Sequence, residues 1–415
     1  QEQRRLLRHG VTTAELEREI TQYRTALEAA VAASSTRTNA SLAATIIGSL
    51  EEKLTVTPPE ARLALFNEAV KGLTPDRVTA TMRPLFTGSG PLLYLATPLP
   101  VSGGRQALLS AYRDSTRLAV ARPSAREAQA WPYTSFGQPG SVAERKDFAS
   151  IGSTSVRFAN GVRLVVRPSE QRKDQLLVRV RVGDGRLDFT PGQPSPEWAL
   201  APAFALGGTS KLTAEDMNQA LTGKQVSAGL AVTDDAFLLQ GATRPADFGV
   251  QLQLLAAYLT DPGWRPNGWE RLRSIAPALQ NQLASTPGGV FGRDTGALLR
   301  GGDTRWGTPT LAQMTGSSIG QGKAVLSSPL ATDPVELIVV GDISADEAIR
   351  QVAATFGALS PRSGVRAVPS PLSFPPPPPE IVTLTHKGRE DQGLAFIAWP
   401  TLGFHSDPKL VRTLN

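Results

Sequence analysis

"SPEWALAPAFALGGTSKLTAED", residues 195–216, reads as a helix that buries one face and then stops at Gly207-Gly208-Thr209. Glycine ends helices because it accepts left-handed backbone at little cost, and "TAED" then opens a second, capped helix. Upstream, "VRFANGVRLVVRP" (156–168) gives two short strands around a tight turn at Asn160-Gly161. In "LLVRVRVGDG" (176–185), Val178, Val180 and Val182 alternate with Arg179 and Arg181, the pattern of a half-buried strand. Downstream, "VSAGLAVTDDAFLLQGATRP" (226–245) is a strand pair turning at Asp234-Asp235. Two helices follow, "FGVQLQLLAAYLTDPGW" and "PNGWERLRSIAPALQNQL". The glycine-rich run at 286–309 is expected as a loop around a short helix. "PVELIVVGDISADEAIRQVAATFGAL" (334–359) is a buried strand, a turn and a helix. This order lacks the regular strand–helix alternation of a parallel α/β fold. The expected class is α+β: antiparallel sheets with helices packed on one face.

The rest of the chain divides around this core. Residues 1–115 read mostly as helices. In "TTAELEREITQYRTALEAAVAAS", Thr13 is the expected N-cap, and Leu16, Ile20, Tyr23 and Leu27 fall at helical spacing. "GPLLYLATP" (90–98) is expected as a buried strand. Residues 116–150 lack periodicity and read as a linker, pinned to a neighbouring surface by Trp131, Tyr133 and Phe136. A domain over 151–370 follows. Residues 371–415 are a polyproline spacer and the start of a further unit, with strands "IVTLTHK" and "GLAFIAWPT" and a helix beginning at "DPKLVRTLN".

Composition narrows the function. Hydrophobic residues make up 40% of the 415 and charged residues 19%, which suits a globular protein with a core. There is no apolar run long enough to span a membrane, and no signal-peptide h-region at the N-terminus. The absence of cysteine excludes disulfides, thiolate metal sites and thiol catalysis, and is compatible with an oxidising compartment. The net charge is +6, but the arginines are dispersed and no aromatic-interleaved basic motif appears, so a nucleic-acid partner is not expected. Only His9, His386 and His405 could supply imidazole. They are scattered, with no i, i+4 pair to hold a metal. "GSSIGQGKA" (316–324) has the wrong spacing for a phosphate loop and ends in Ala324 where Ser or Thr is required, so a plain loop is expected. A hairpin turn accounts for Asp234-Asp235 better than a catalytic carboxylate pair. No Gly-x-Ser-x-Gly elbow is present.

Several stretches together resemble the insulinase/pitrilysin/processing-peptidase superfamily, the inverzincin zinc peptidases. They are "FANGVRLVVRPSEQ", "LLVRVRVGDGRLD", "ALGGTSKLTAEDMNQAL", "LQLLAAYLTDPGW" and, most specifically, "VELIVVGDISADEAIRQVAATFGAL". The chain looks most like the long bacterial members, which carry four homologous domains as two halves. The resemblance implies that 1–115 is the C-terminal part of a non-catalytic domain and 151–370 a degenerate third domain. Both chain ends then fall inside domains. The family's motif is His-x-x-Glu-His, which sets two imidazoles on one helix face and a carboxylate beside the metal-bound water. Matching Gly208-Thr209 to the family's Gly-Thr puts Ala199, Pro202 and Ala203 at those positions. The resemblance therefore implies no catalytic, cofactor-binding or metal residue in this chain. Zinc is expected on the parent protein's first domain, and the family's assisting arginine and tyrosine beyond Asn415. The implied partners are the N-terminal catalytic half of the same protein, unfolded peptide substrates and a possible homodimer, in the periplasm. The alternative is an inactive homologue acting as a binding or scaffold protein.

Overall fold

The computed structural model describes residues 2–88, 92–97, 100–122, 129–362, 372, 374–376, 378 and 380–399. They form two compact units. The first comprises residues 1–130 with the short stretches 171–174 and 218–225, and the second comprises the remainder.

The first unit is helical: α1 (Glu2–His9), α2 (Thr13–Ala32), α3 (Asn39–Glu51), α4 (Pro59–Ala69), α5 (Pro75–Met82) and α6 (Gly104–Arg117). The N-cap of α2 is Thr12, not the expected Thr13. A capping box needs Glu or Gln three residues on, and only Thr12 has it: its hydroxyl accepts from Glu15 N–H at 3.2 Å while its own N–H donates to the Glu15 carboxylate at 2.8 Å. Leu16 and Leu27 are buried, and Tyr23 meets Phe66 of α4 with ring centroids 5.0 Å apart. The strand expected at 90–98 does not form over its described part, 92–97, where Leu92 is 98% and Tyr94 89% exposed. A strand needs a neighbour for its N–H and C=O groups, and the first unit has no strand among its described residues.

The second unit is built on one seven-stranded sheet: β1 (Val142–Phe148), β2 (Ser153–Phe158), β3 (Arg163–Pro168), β4 (Leu176–Val182), β5 (Gly229–Val232), β6 (Phe237–Thr243) and β7 (Val335–Gly341), in the order β1-β2-β3-β7-β4-β6-β5. Between and after the strands come α7 (Glu197–Gly207), α8 (Ala214–Ala220), α9 (Phe248–Thr260), α10 (Asn267–Ala284), α11 (Pro287–Leu298), α12 (Leu311–Gly316), α13 (Ile319–Thr332) and α14 (Ala345–Ala353). α7 lies against β5, α9 against β6, and α14 against β2 and β3. The alternation read in β4 is obeyed there and in β3 and β7. Phe158, Leu164, Val180, Leu239, Leu337 and Val339 point into the helical layer at no more than 1% exposure, while Arg157, Arg163 and Arg179 point away. The α+β class holds, with one departure from pure antiparallel pairing. β7 inserts between β3 and β4 and runs parallel to β3, Leu164 opposite Leu337. Its apolar run, "VELIVVG", is more favourable at the sheet centre than at an edge.

Four further expectations are corrected. The segment read as linker ends in β1, which pairs with β2; all seven of its residues are exposed, so it shows no hydrophobic alternation. Trp131 and Tyr133 belong to this unit, held by Gln253 and Asp261. The glycine-rich run forms the three-turn helix α11, capped by Thr286 with Pro287 in its first turn. "GSSIGQGKA" opens α13 rather than a loop. Gly322, in mid-helix, faces Leu200 and Trp269 so closely that an added Cβ would lie 2.7 Å from Leu200 Cδ1. Packing thus overrides glycine's poor helix propensity. Lastly, 381–386 and 393–399 are not strands, since no described strand lies beside them; Phe396 instead packs edge-on against Phe291 at 4.9 Å. The helix expected at 407–415 lies outside the described residues.

Candidate functional site

Helix α7 occupies the position that decides the site. It begins after Pro196, with Glu197 gripped by Arg186 through two bonds of 2.7 and 2.6 Å. Ala199, Ala203 and Gly207 follow one another at i, i+4, i+8 on the buried face, with Leu200 and Phe204 beside them. Pro202 is exposed. Of the three positions where the resemblance places ligands, two carry fully buried methyl groups and one a solvent-facing ring. The space beside them is occupied. Gly268 of α10 approaches so closely that an added Cβ would lie 3.1 Å from Ala203 Cα, and Trp269 meets Trp198 edge-on at 5.9 Å. Zinc does not fit here, because this face offers neither donor atoms nor room. Elsewhere, among the described residues, no three His, Cys, Asp or Glu side chains come together as a metal site. His9 and His386 lie in different units. His9 Nε2 is 2.9 Å from Val120 O. His386 Nδ1 accepts the Gly388 N–H at 3.0 Å, which leaves Nε2 to donate to Gln392 O at 3.1 Å. His405 lies outside the described residues.

The turn after α7 is held by a residue that the sequence did not announce. Gly208 has φ +63°, and a Cβ there would fall 2.5 Å from Leu212 O, so glycine is required. Arg265, just beyond α9, sends its guanidinium into this turn. Nη1 donates to Gly207 O (2.6 Å), Thr209 O (2.5 Å) and Leu212 O (3.1 Å), and Nη2 to Ser210 O (3.1 Å). Asp261 accepts from Tyr133 Oη at 2.7 Å and from Ser210 Oγ at 2.5 Å. Burial, with the Asp261 charge adding to it, raises the Tyr133 pKa.

Asp234 and Asp235 do form the two-residue turn of the β5–β6 hairpin, closed by Thr233 N–H to Ala236 O at 2.9 Å. Their carboxylates are tied down by cations. Asp234 accepts from Arg186 (2.7 Å), Trp306 Nε1 (2.8 Å) and Arg300 (3.4 Å), and Asp235 from Arg181 (2.8 Å). Burial opposes the charge of Arg186, but Glu197 and Asp234 outweigh it and its pKa is raised. Two carboxylates so neutralised are structural ties, not a catalytic pair.

The sheet edges remain. β1 is guarded by Glu144, Arg145, Lys146 and Asp147, as exposed edges commonly are. β5, Gly229-Leu230-Ala231-Val232, carries no charge, and no described strand lies beyond it. Since Thr233 N–H points inward to Ala236, the two-residue period turns the N–H groups of Leu230 and Val232 outward. Beside β5, Phe204, Ala205, Ala228, Gly229, Leu239 and Tyr258 pack into an apolar cluster with no room between them for a water molecule. Tyr258 donates to Ala205 O at 2.9 Å, and its burial pushes the phenol pKa up to about 12.

The geometry is thus a peptidase-like helix without ligands, beside an uncharged sheet edge. Residues 331–415 match the family described as the peptidase M16 inactive domain. The fold is that of the insulinase/pitrilysin/processing-peptidase class, and helix α7 carries no donor side chain at Ala199, Pro202 or Ala203. Among solved structures the chain is similar to the periplasmic protease PqqL from Escherichia coli. The identity is 16%, the coverage 89% of this chain and 41% of that one, and the TM-score 0.51. It is also similar to a peptidase M16 inactive domain from Pseudomonas fluorescens: 17% identity, 53% of this chain, 54% of that one, TM-score 0.43. Among curated proteins it is 20% identical over 269 residues to the chloroplastic stromal processing peptidase of Arabidopsis thaliana, covering 63% of this chain and 21% of that protein. The chain therefore spans well under half the length of the first of each. No helix among the described residues is long and apolar enough to cross a membrane.

Proposed function

We propose that this chain is the non-catalytic portion of a zinc metallopeptidase. It helps to enclose a substrate chamber and binds peptide there, while the zinc is held on a domain outside it. One observation carries this: α7 and its Arg265-clamped turn are intact, yet Ala199, Pro202 and Ala203 offer no donor. In this reading 1–115 ends one non-catalytic domain, 151–370 is a degenerate copy, and 371–415 begins another. The match of 331–415 to a family described as an inactive domain supports the non-catalytic reading. An unfolded peptide adds as a strand outside β5, bonding to the outward N–H groups of Leu230 and Val232. The partner is the half that carries His-x-x-Glu-His, and the compartment is the periplasm, as it is for PqqL.

The test is to mix this chain with the His-x-x-Glu-His-bearing half of its parent protein and follow complex size and peptide cleavage. Zinc-dependent cleavage that needs both parts, and that Val232→Pro weakens, is the expected result; proline there removes an outward N–H without breaking the β5–β6 ladder. A chain that ignores the other half refutes the chamber role and leaves the scaffold alternative.

A further inference from the structure

We propose that the helix-free face of the seven-stranded sheet is a docking surface for a polypeptide segment that alternates acidic and apolar residues. The strand registers place its side chains in rows. Across one row run Glu144, Arg157, Arg163, Glu336 and Arg181. Across the next run Lys146, Ser155, Val165, Ile338 and Arg179, and beyond it Arg167, Val340 and Leu177. Arg157 is paired with Glu144 and Arg181 with Asp235. Arg163, Arg167 and Arg179 are exposed and have no ion-pair partner among the described residues. Strands two apart are about 10 Å apart, slightly more than one Debye length at physiological salt, so these guanidiniums act as separate contact points, each open to a carboxylate of its own. Between the cations lies an apolar strip, with Leu177 52% and Ile338 36% exposed.

The chemistry selects the occupant. A strip of apolar side chains flanked by unpaired guanidiniums, repeating with the two-residue period of a sheet, complements carboxylates and apolar groups at the same spacing. Nucleic acid is disfavoured because the one aromatic ring on this face, Phe148, already carries Lys146 over it at 5.0 Å, leaving no free stacking platform. A bilayer surface is disfavoured because the face has no interfacial Trp or Tyr among these rows. This surface is distinct from the β5 edge and does not depend on peptide pairing there.

The test uses this chain and a labelled peptide alternating Glu with Leu, read by fluorescence anisotropy. The triple variant Arg163→Gln/Arg167→Gln/Arg179→Gln is expected to bind about tenfold more weakly, and the wild-type affinity to fall as salt rises. Lys323→Gln, an exposed cation on α13 away from both the sheet face and the β5 edge, is expected to leave binding unchanged. Circular dichroism and the thermal midpoint check that the triple variant, altered only at exposed positions, is folded. The proposal is overturned if the folded triple variant binds as well as wild type, or if a Lys-for-Glu peptide binds equally. It is also overturned if anionic vesicles or single-stranded DNA bind more tightly than the peptide and lose that binding in the triple variant.

Discussion

Replacing Arg265 by Ala should cost the second unit about 2–6 kcal/mol. The figure follows from deciding which carbonyls become orphans. Arg265 donates to four, but they are not equal. Ser210 is exposed, so water replaces the lost donor there. Leu212 O keeps the Thr209 N–H at 3.0 Å. Gly207 and Thr209 are buried, Thr209 at 0% exposure, and their oxygens lose the guanidinium with nothing in its place. An unsatisfied buried acceptor costs about 1–3 kcal/mol, and two of them give the range. Arg265→Lys should recover only part of this, because one ammonium cannot span oxygens that a planar fork reaches together. Urea unfolding followed by tryptophan fluorescence measures the loss. Hydrogen exchange at 209 and 210 should rise in step, since Thr209 N–H bonds to Leu212 O within the clamped turn and Ser210 N–H to Asp261 O beside it. Arg271→Ala, on the exposed side of α10, serves as the control. A loss below about 0.5 kcal/mol for Arg265→Ala, no larger than the control's, would refute the clamp.

Three other outcomes are expected. The Tyr258 pKa is raised in the folded state to about 12, so its contribution is complete below the unfolded value near 10 and is lost as pH rises towards 12. By pH 11 wild type should have lost about 1.4 kcal/mol that Tyr258→Phe keeps, so the deficit of that variant at pH 8 should shrink or reverse in chemical-denaturation curves; parallel pH profiles would contradict this. Asp234→Ala frees Arg186, Arg300 and Trp306 from their shared acceptor; because that carboxylate is half-exposed, the expected loss is only about 1 kcal/mol, read as a small drop in thermal midpoint. Metal analysis of the purified chain should find no stoichiometric zinc, and the Ala199→His/Pro202→Glu/Ala203→His variant should gain no tight site, because Gly268 fills the space an imidazole at 203 would need; about one zinc per wild-type chain would overturn the assignment.

What could be read in the sequence was local and periodic. The valine–arginine alternation of β4, the Asn160-Gly161 turn and the Asp234-Asp235 hairpin each need only neighbours within a few residues, and each formed as expected. What could not be read depends on distant partners. β1 gave no signal because an edge strand exposed on all sides has no hydrophobic period to show. "GPLLYLATP" gave a false one, since an apolar run reads as a strand whether or not another strand is there to pair with it. Arg265 and the Asp234 ties join residues about fifty or more positions apart, and nothing in a single sequence marks them. The same division holds for the site. The lack of donor side chains at 199, 202 and 203 was legible because it concerns residue identity alone. Why the helix persists without them was not. α7 now serves as a packing surface: Gly268 and Gly322 bring α10 and α13 hard against Ala203 and Leu200, and Phe204 stacks with Tyr258 and Trp264. Small residues at 199 and 203 are then what close helix packing demands, and larger side chains there would strain the contacts with α10 and α13.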